Sequence, residues 1–290
     1  MKQYLKLFVL NLYAIVNAFR CVLFHGIVFS RLKKKKTEIS HTFVVLGNGP
    51  SLNVDMNNAS STNSKVFAAL NYFGCTELFY KVKPQWYFFM DRAFFTDNSK
   101  NRRRDDIIRM YNIFNNQVNW NMTIVIPSHY YNDFFKYSKL NNPYIKVLGV
   151  NTNSVNASTP VSHWLYKRNW AAPAAQNVTI LAIYTGINLG YKSIHLYGVD
   201  HTFLKGLFVD EQNRLCLKWE HFYDNKSEVK PVTDTLGNHP TIASELKTVA
   251  RTFQSHEELR KYADDNGTQI VNCTKGSMID SYIRKSQLSK

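Results

Sequence analysis

Cysteine is scarce in this chain, and the spacing of the four that occur excludes more than their number does. Cys21, Cys75, Cys216 and Cys273 stand far apart with no Cys-x-x-Cys pairing, so neither a zinc site nor a disulfide framework is indicated and a reducing cytosol fits. Carboxylates are also short, 21 Asp and Glu against 36 Lys and Arg, for a formal net charge of +15. That imbalance points to an anionic partner: nucleic acid, a membrane surface or small anionic substrates. The absence of Asp-x-Asp argues against the kind of sugar transfer in which a divalent cation bridges carboxylates and a diphosphate. The Gly-x-Gly-x-x-Gly fingerprint is missing, and no Lys-Ser or Lys-Thr stands where a P-loop needs it. No Ala-x-Ala cleavage site follows the apolar N-terminal stretch, and no internal repeat is found.

Position narrows the choice of anionic partner. The densest basic cluster, Arg31-Leu-Lys-Lys-Lys-Lys36, directly follows an apolar stretch from Leu5 to Phe29, where a polybasic patch meets anionic lipid headgroups. A second run, Lys100-Asn-Arg-Arg-Arg104, has no aromatic interleaving and no nucleic-acid module around it, so it reads as a solvated loop and nucleic acid is not expected as a partner. At helical periodicity Lys2, Lys6, Tyr13, Asn17 and Arg20 fall on one narrow strip and leave the rest of the circumference apolar, which favours a helix in the membrane interface. A single span also has sufficient length, and burial against the globular body is the third reading. Basic residues after the segment outnumber those before it, placing the body in the cytoplasm. The expected organisation is a membrane-associated helix and linker over 1–36 and one large domain over 37–290.

With 44% hydrophobic residues that domain can bury a full core. Its apolar runs are short, rich in β-branched and aromatic residues, and alternate with helical patterns, which predicts a Rossmann-like α/β fold with a mostly parallel sheet flanked by helices. Strands are predicted at 42–46, 65–70, 86–90, 123–126, 145–150, 193–197 and 269–272, and helices at 103–114, 177–189 and 242–264. The Asn-, Ser- and Trp-containing stretch 151–176 reads as a loop over the site. In such folds ligands gather at the carboxyl ends of strands, where the sequence places Gly47-Asn48-Gly49, Asn71-Tyr72, Asp91-Arg92, Pro127-Ser128-His129, Gly198-Val199-Asp200-His201 and Asn272-Cys273-Thr274.

Phe43-Val-Val-Leu-Gly-Asn-Gly-Pro-Ser51 is the most informative stretch. Gly47 and Gly49 let the chain turn sharply and bring backbone N–H groups near an anionic ligand. Asn48 can donate and accept at once, as a ribose, base edge or phosphate requires.

Gly47-Asn48-Gly49-Pro50-Ser51-Leu52, then Asn71 closing a second strand, a polar residue at Asp91, and Leu189-Gly190-Tyr191-Lys192-x-Ile194-x-Leu196-x-Gly198-x-Asp200 together resemble the bacterial sialyltransferases of glycosyltransferase family 42. The opening motif is shared with the wider group that contains the 6-hydroxymethylpterin diphosphokinase-like proteins. The resemblance spans roughly residues 42 to 282. It implies a single Rossmann-like domain holding a nucleotide-sugar donor, CMP-sialic acid first among them, without a metal ion or other cofactor. It further implies an oligosaccharide acceptor, lipid-linked or on the cell surface as in lipopolysaccharide assembly, and with it a place at the cytoplasmic face of a bacterial inner membrane. It puts Gly47, Asn48, Gly49 and Ser51 at the nucleotide, Asn71 at the donor sugar or phosphate, and Asp200 at the close of the Gly-x-Asp strand. Asp91 stands where the family has an asparagine. The tyrosines that brace the leaving phosphate in the family are replaced here by His201, Thr202, Phe203 and Phe208, with His201 as a substitute donor.

Inverting transfer needs a base for the acceptor hydroxyl, and histidine is suited to that near neutrality. The family carries a histidine between the Gly-x-Asp block and the last helix, beside a tyrosine. His221, accompanied by Tyr223, is the preferred match and His239 the second; His256 reads as lying on a solvated helix face. Two alternatives stand beside this one. A pterin-type diphosphokinase would use ATP and Mg²⁺ with Asp91 and Asp200 as carboxylates, and a non-catalytic nucleotide-binding subunit of polysaccharide assembly would have kept only the fold.

Overall fold

The computed structural model describes residues 2–24, 41–57, 64–97, 104–174, 177–221, 224–233 and 238–288. The strands named here are β1 (Thr42–Leu46), β2 (Lys65–Leu70), β3 (Trp86–Phe88), β4 (Met122–Pro127), β5 (Ile145–Val150), β6 (Ser193–Tyr197), β10 (Gln269–Asn272) and β11 (Ile283–Arg284). They form one eight-stranded sheet in the order β11-β10-β6-β1-β2-β3-β4-β5, every pairing parallel. The interior strands are apolar on both faces because both faces are covered. Phe43 and Val45 of β1 point into a layer with α7 (Val178–Leu189) and α8 (Ile242–Asp265), whereas Val44 and Leu46 point into an aromatic layer with Phe73, Tyr87, Phe89 and Phe114. Apolar around its whole circumference, α7 is the central helix, and all its residues but Asn188 are buried. It ends at Gly190 in the left-handed conformation, φ 90°, which a residue without Cβ adopts at no steric cost.

Besides short unexpected helices at Leu52–Asn57, Glu77–Val82 and Tyr131–Ser138 and a β3 that stops at Phe88, two larger parts of the chain differ from the expectation. Residues 151–176 contain a helix, α6 (Thr159–Lys167), with Pro160 in its first turn. Proline is favoured at that position because the N–H it lacks has no intrahelical partner there. Buried Leu165 and Tyr166 anchor α6 in the main core, and the Tyr184 hydroxyl donates toward the Tyr166 and Ala171 carbonyls at 3.0 Å each. The segment therefore packs on α7 and is not a cover over the site. The second difference is an antiparallel three-stranded sheet, β7 (Leu207–Val209), β8 (Leu215–His221) and β9 (Asp224–Pro231), whose apolar runs are only three residues long in β7 and β8 and absent from β9.

The N-terminal α1 (Lys2–Phe24) lies against this body. Ala14 and Ala18 are buried, the Ser158 N–H donates to Asn11 Oδ1 at 2.8 Å, and the Phe19 and Trp170 rings lie 5.9 Å apart. The basic cluster Arg31–Lys36 and most of the 100–104 run fall outside the described residues.

Candidate active site

A cavity of about 630 Å³ opens at the carboxyl ends of β1, β2 and β6. The chain runs from β1 to β2 on one side of β1, while β6 pairs on the other. This is the topological switch point where such sheets leave a crevice for a ligand.

The glycines of the opening motif serve a purpose other than the one their spacing suggests. The Gly47 N–H donates to the Tyr197 carbonyl and the Gly49 N–H to the Gly198 carbonyl, both at 2.8 Å. These groups are thus spent on fastening the β1 loop to the β6 loop and are not offered to an anion. The crossing is too close for side chains: a Cβ on Gly47 would lie 2.2 Å from the Gly198 oxygen, and one on Gly49 would lie 1.7 Å from Asp200 Oδ2. What the crossing delivers to the cavity is Asn48. Its amide N–H donates to the Leu70 carbonyl at 2.9 Å, which fixes the flip and leaves Oδ1 buried without a partner. Asn71, held in the left-handed conformation at φ 48°, also lines the cavity with Oδ1 buried and unpartnered. Buried acceptors of this kind are almost always satisfied. Two such residues line this one cavity, at the ends of the adjacent strands β1 and β2.

Ser51 bridges two carboxylates, with its Oγ 2.9 Å from Asp55 Oδ2 and 3.0 Å from Asp200 Oδ2. One hydroxyl proton serves one carboxylate at a time. Asp55 is otherwise paired with the backbone N–H groups of Gly198 and Lys275, at 3.2 Å each. Asp200 lines the cavity, and burial pushes its carboxyl up to about 6; the Ser51 hydrogen bond opposes the rise and the Asp55 charge adds to it.

His201, also in the left-handed region at φ 51°, follows at the cavity wall. Its tautomer follows from a chain of hydrogen bonds. Asn177 caps α7, its Oδ1 accepting from the Thr179 and Ile180 N–H groups, so its Nδ2 is the end that donates to His201 Nε2 at 3.1 Å. His256 Nε2 lies 3.1 Å from the same nitrogen and carries a proton, so its N–H and the Asn177 amide share the one lone pair of His201 Nε2. His256 Nδ1 then accepts from the Tyr282 hydroxyl at 2.9 Å. His201 therefore carries its own proton on Nδ1. Burial pushes the His201 imidazole down to about 4, and burial together with His201 holds His256 well below the ordinary range. His256, expected on a solvated face, is fully buried.

The remaining sequence candidates separate. Asp91 is exposed and caps a short 3-10 turn by accepting the Ala93 N–H at 2.9 Å; it does not line the cavity, so it does not join Asp200 as a second carboxylate. His239 is exposed, its Nδ1–H donating to the Val232 carbonyl at 3.1 Å, and likewise stays out of the cavity. His221 ends β8, three residues and about 10 Å of strand beyond the cavity-lining Lys218; its side chain, and Tyr223 altogether, lie outside the described residues. The ends of β3 and β4 do not contribute to the cavity. Beyond β10 it is Lys275 and Gly276 that line it, while Asn272 and Thr274 brace the backbone.

Four contributors escaped the sequence reading. Lys205, Lys218 and Lys275 ring the cavity with positive charge, and Asn177 adds its amide. Only Asn177 had a local signal, as an N-cap before an apolar helix. Among the described residues no three His, Cys, Asp or Glu side chains converge as a metal site would require. No family model and no curated protein matches the chain.

Proposed function

We propose that this protein is a sialyltransferase-like glycosyltransferase. In this reading it transfers a sugar with inversion, and without a metal ion, from a nucleotide donor to an oligosaccharide acceptor at the cytoplasmic face of a bacterial inner membrane. The observation that carries it is the composition of the switch-point cavity. Two unsatisfied amide acceptors, Asn48 after β1 and Asn71 after β2, belong to the same cavity lining as Lys205, Lys218 and Lys275, with Asp200 entering from the loop after the neighbouring β6. The acceptors match ribose hydroxyls and a base amino group, and the lysines match a phosphate. Asp200 takes the proton of the acceptor hydroxyl as its oxygen bonds to the anomeric carbon. The bond from that carbon to the phosphate oxygen breaks, and its electron pair leaves with the nucleotide. His201 stands where the sialyltransferases that the motif resembles carry a phenol.

The diphosphokinase alternative loses support because Asp91 stands away from Asp200. The non-catalytic alternative is separated by assay. Purified protein is incubated with CMP-sialic acid and with other nucleotide sugars, with and without EDTA. Transfer that survives EDTA is the expected result. Transfer abolished by EDTA overturns the metal-free mechanism, and nucleotide binding without turnover of any donor favours the non-catalytic reading.

A further inference from the structure

Helix α1 divides into three faces, and only one of them is used by the protein. Asn11, Ala14 and Ala18 make the face against the body, where the two alanines permit close approach and the Asn11 amide oxygen takes the Ser158 N–H just before α6. A second strip carries Lys2, Lys6 and Arg20, all exposed. The third face holds Leu5, Phe8, Leu12, Val16 and Leu23, exposed by 63%, 64%, 51%, 46% and 61%. A run of apolar side chains left in water for the full length of a helix is costly unless something covers it.

We propose that this third face inserts into the surface of an anionic lipid leaflet, with α1 lying in the membrane plane beneath the globular body. The three-way division decides between lying and crossing. Lys2–Leu23 is long and apolar enough to cross a membrane. A crossing helix, however, would have to leave the body, exposing the Ala14–Ala18 seam and breaking the Asn11–Ser158 bond. In the plane, the apolar face meets acyl chains, the Lys2–Arg20 strip sits at headgroup level and the docked face stays in place. Charge identifies the surface: Arg31-Leu-Lys-Lys-Lys-Lys36 follows the helix in sequence, and each such charge near an anionic leaflet favours binding about fivefold. This inference stands whether or not the cavity transfers a sugar.

The test is flotation of the full-length protein with vesicles of phosphatidylcholine alone or of equal parts phosphatidylcholine and phosphatidylglycerol. Binding is expected to the mixed vesicles and to fall at least about tenfold in the double variant Leu12→Glu, Val16→Glu, with unchanged melting, since both positions are already exposed. Leu5→Glu, Phe8→Glu on the same face is the second variant. Replacing Lys33 to Lys36 by Gln is expected to remove the preference for phosphatidylglycerol. Equal binding by wild type and both variants overturns the proposal. So does a dimer seen by light scattering without lipid that the Leu12→Glu, Val16→Glu change dissociates, which would make a second copy the occupant. Cell membranes carrying the protein should release it in alkaline carbonate, and retention in the pellet would mean a spanning helix and refute the in-plane arrangement.

Discussion

Asp200 Oδ2 and Ser51 Oγ meet at 3.0 Å across 149 positions of sequence. Ser51 belongs to the loop after β1 and Asp200 to the loop after β6, so this contact is part of what holds the two sides of the switch-point cavity together. It also leaves, at the cavity wall, a carboxyl whose proton affinity has been raised by burial, and the proposed transfer brings the acceptor hydroxyl there.

Asp200→Asn should therefore lower turnover by about 10²–10⁴, the usual share of a general base, while nucleotide affinity changes little. The carboxyl must be ionised to accept a proton, so the wild-type rate should fall as pH drops below about 6, and that acid limb should vanish from the residual activity of the variant. His239→Ala, on an exposed loop, should leave turnover unchanged, and His221→Ala tests the remaining histidine. A pH–rate profile for each protein decides among them. Full activity in the Asp200 variant would return the role to a histidine.

Asn48→Ala should weaken nucleotide binding by roughly 1–3 kcal/mol, the cost of losing a buried hydrogen-bond partner. Asn71→Ala should act in the same direction through the second unpartnered acceptor. Calorimetric titration of the nucleotide is the measurement, and unchanged affinity in both variants would remove this end of the cavity from the nucleotide site.

Gly49→Ala should be damaging out of proportion to one methyl group, because that carbon would fall 1.7 Å from Asp200 Oδ2 and 2.7 Å from the Gly198 carbonyl oxygen. The loops must part to admit it. A drop in melting temperature together with lost nucleotide binding is expected, and a variant that melts and binds as wild type would show that the two loops do not cross as closely as described.

Acid should destabilise the fold through the buried histidines. Their folded proton affinities are depressed, that of His201 to about 4, so the unfolded chain, titrating near 6.5, takes up protons first. Their stabilisation is complete above about pH 6.5 and is lost as pH falls toward 4, on the order of 3 kcal/mol for His201 alone. Asp200, with its raised affinity, works the other way over the lower part of that range, but one carboxyl opposes two imidazoles. His256→Gln, which removes one titrating group and keeps an amide to bond, should flatten the dependence of melting temperature on pH between 7 and 5. A wild-type melt that is level over that interval would contradict the pairing.

The strands and helices that position the cavity were legible because their signals are local. The 42–46, 65–70, 145–150, 193–197 and 269–272 strands match to the residue; for the interior ones the reason is that a parallel strand covered on both faces is apolar on both and ends abruptly at a polar turn, while 145–150, at the sheet edge, keeps an exposed Lys146. The same reasoning failed for β8, whose apolar Leu-Cys-Leu opening gives way to alternating polar residues, for the polar β9, and for α6, whose apolar pattern is interrupted by Ser162 and His163. Gly47, Asn48, Gly49, Ser51, Asn71, Asp200 and His201 were read as a site from sequence and do gather in one place, because the ends of parallel strands share one edge of the sheet.

Sequence alone settled the fold class, the sheet edge at which the polar loop residues gather, and the basic strip on an otherwise apolar α1, because periodicity and strand ends are properties of neighbouring residues. Which groups remain available at that edge was decided only by tertiary structure. The Gly47 and Gly49 N–H groups are consumed by Tyr197 and Gly198 some 150 positions away. Asp91 turns aside to cap its own turn, and His256 is drawn from an expected solvent face into contact with His201. A hydrogen-bonding group can be spent once, and what spends it is set by the contact the folded chain brings to it, which no local pattern encodes.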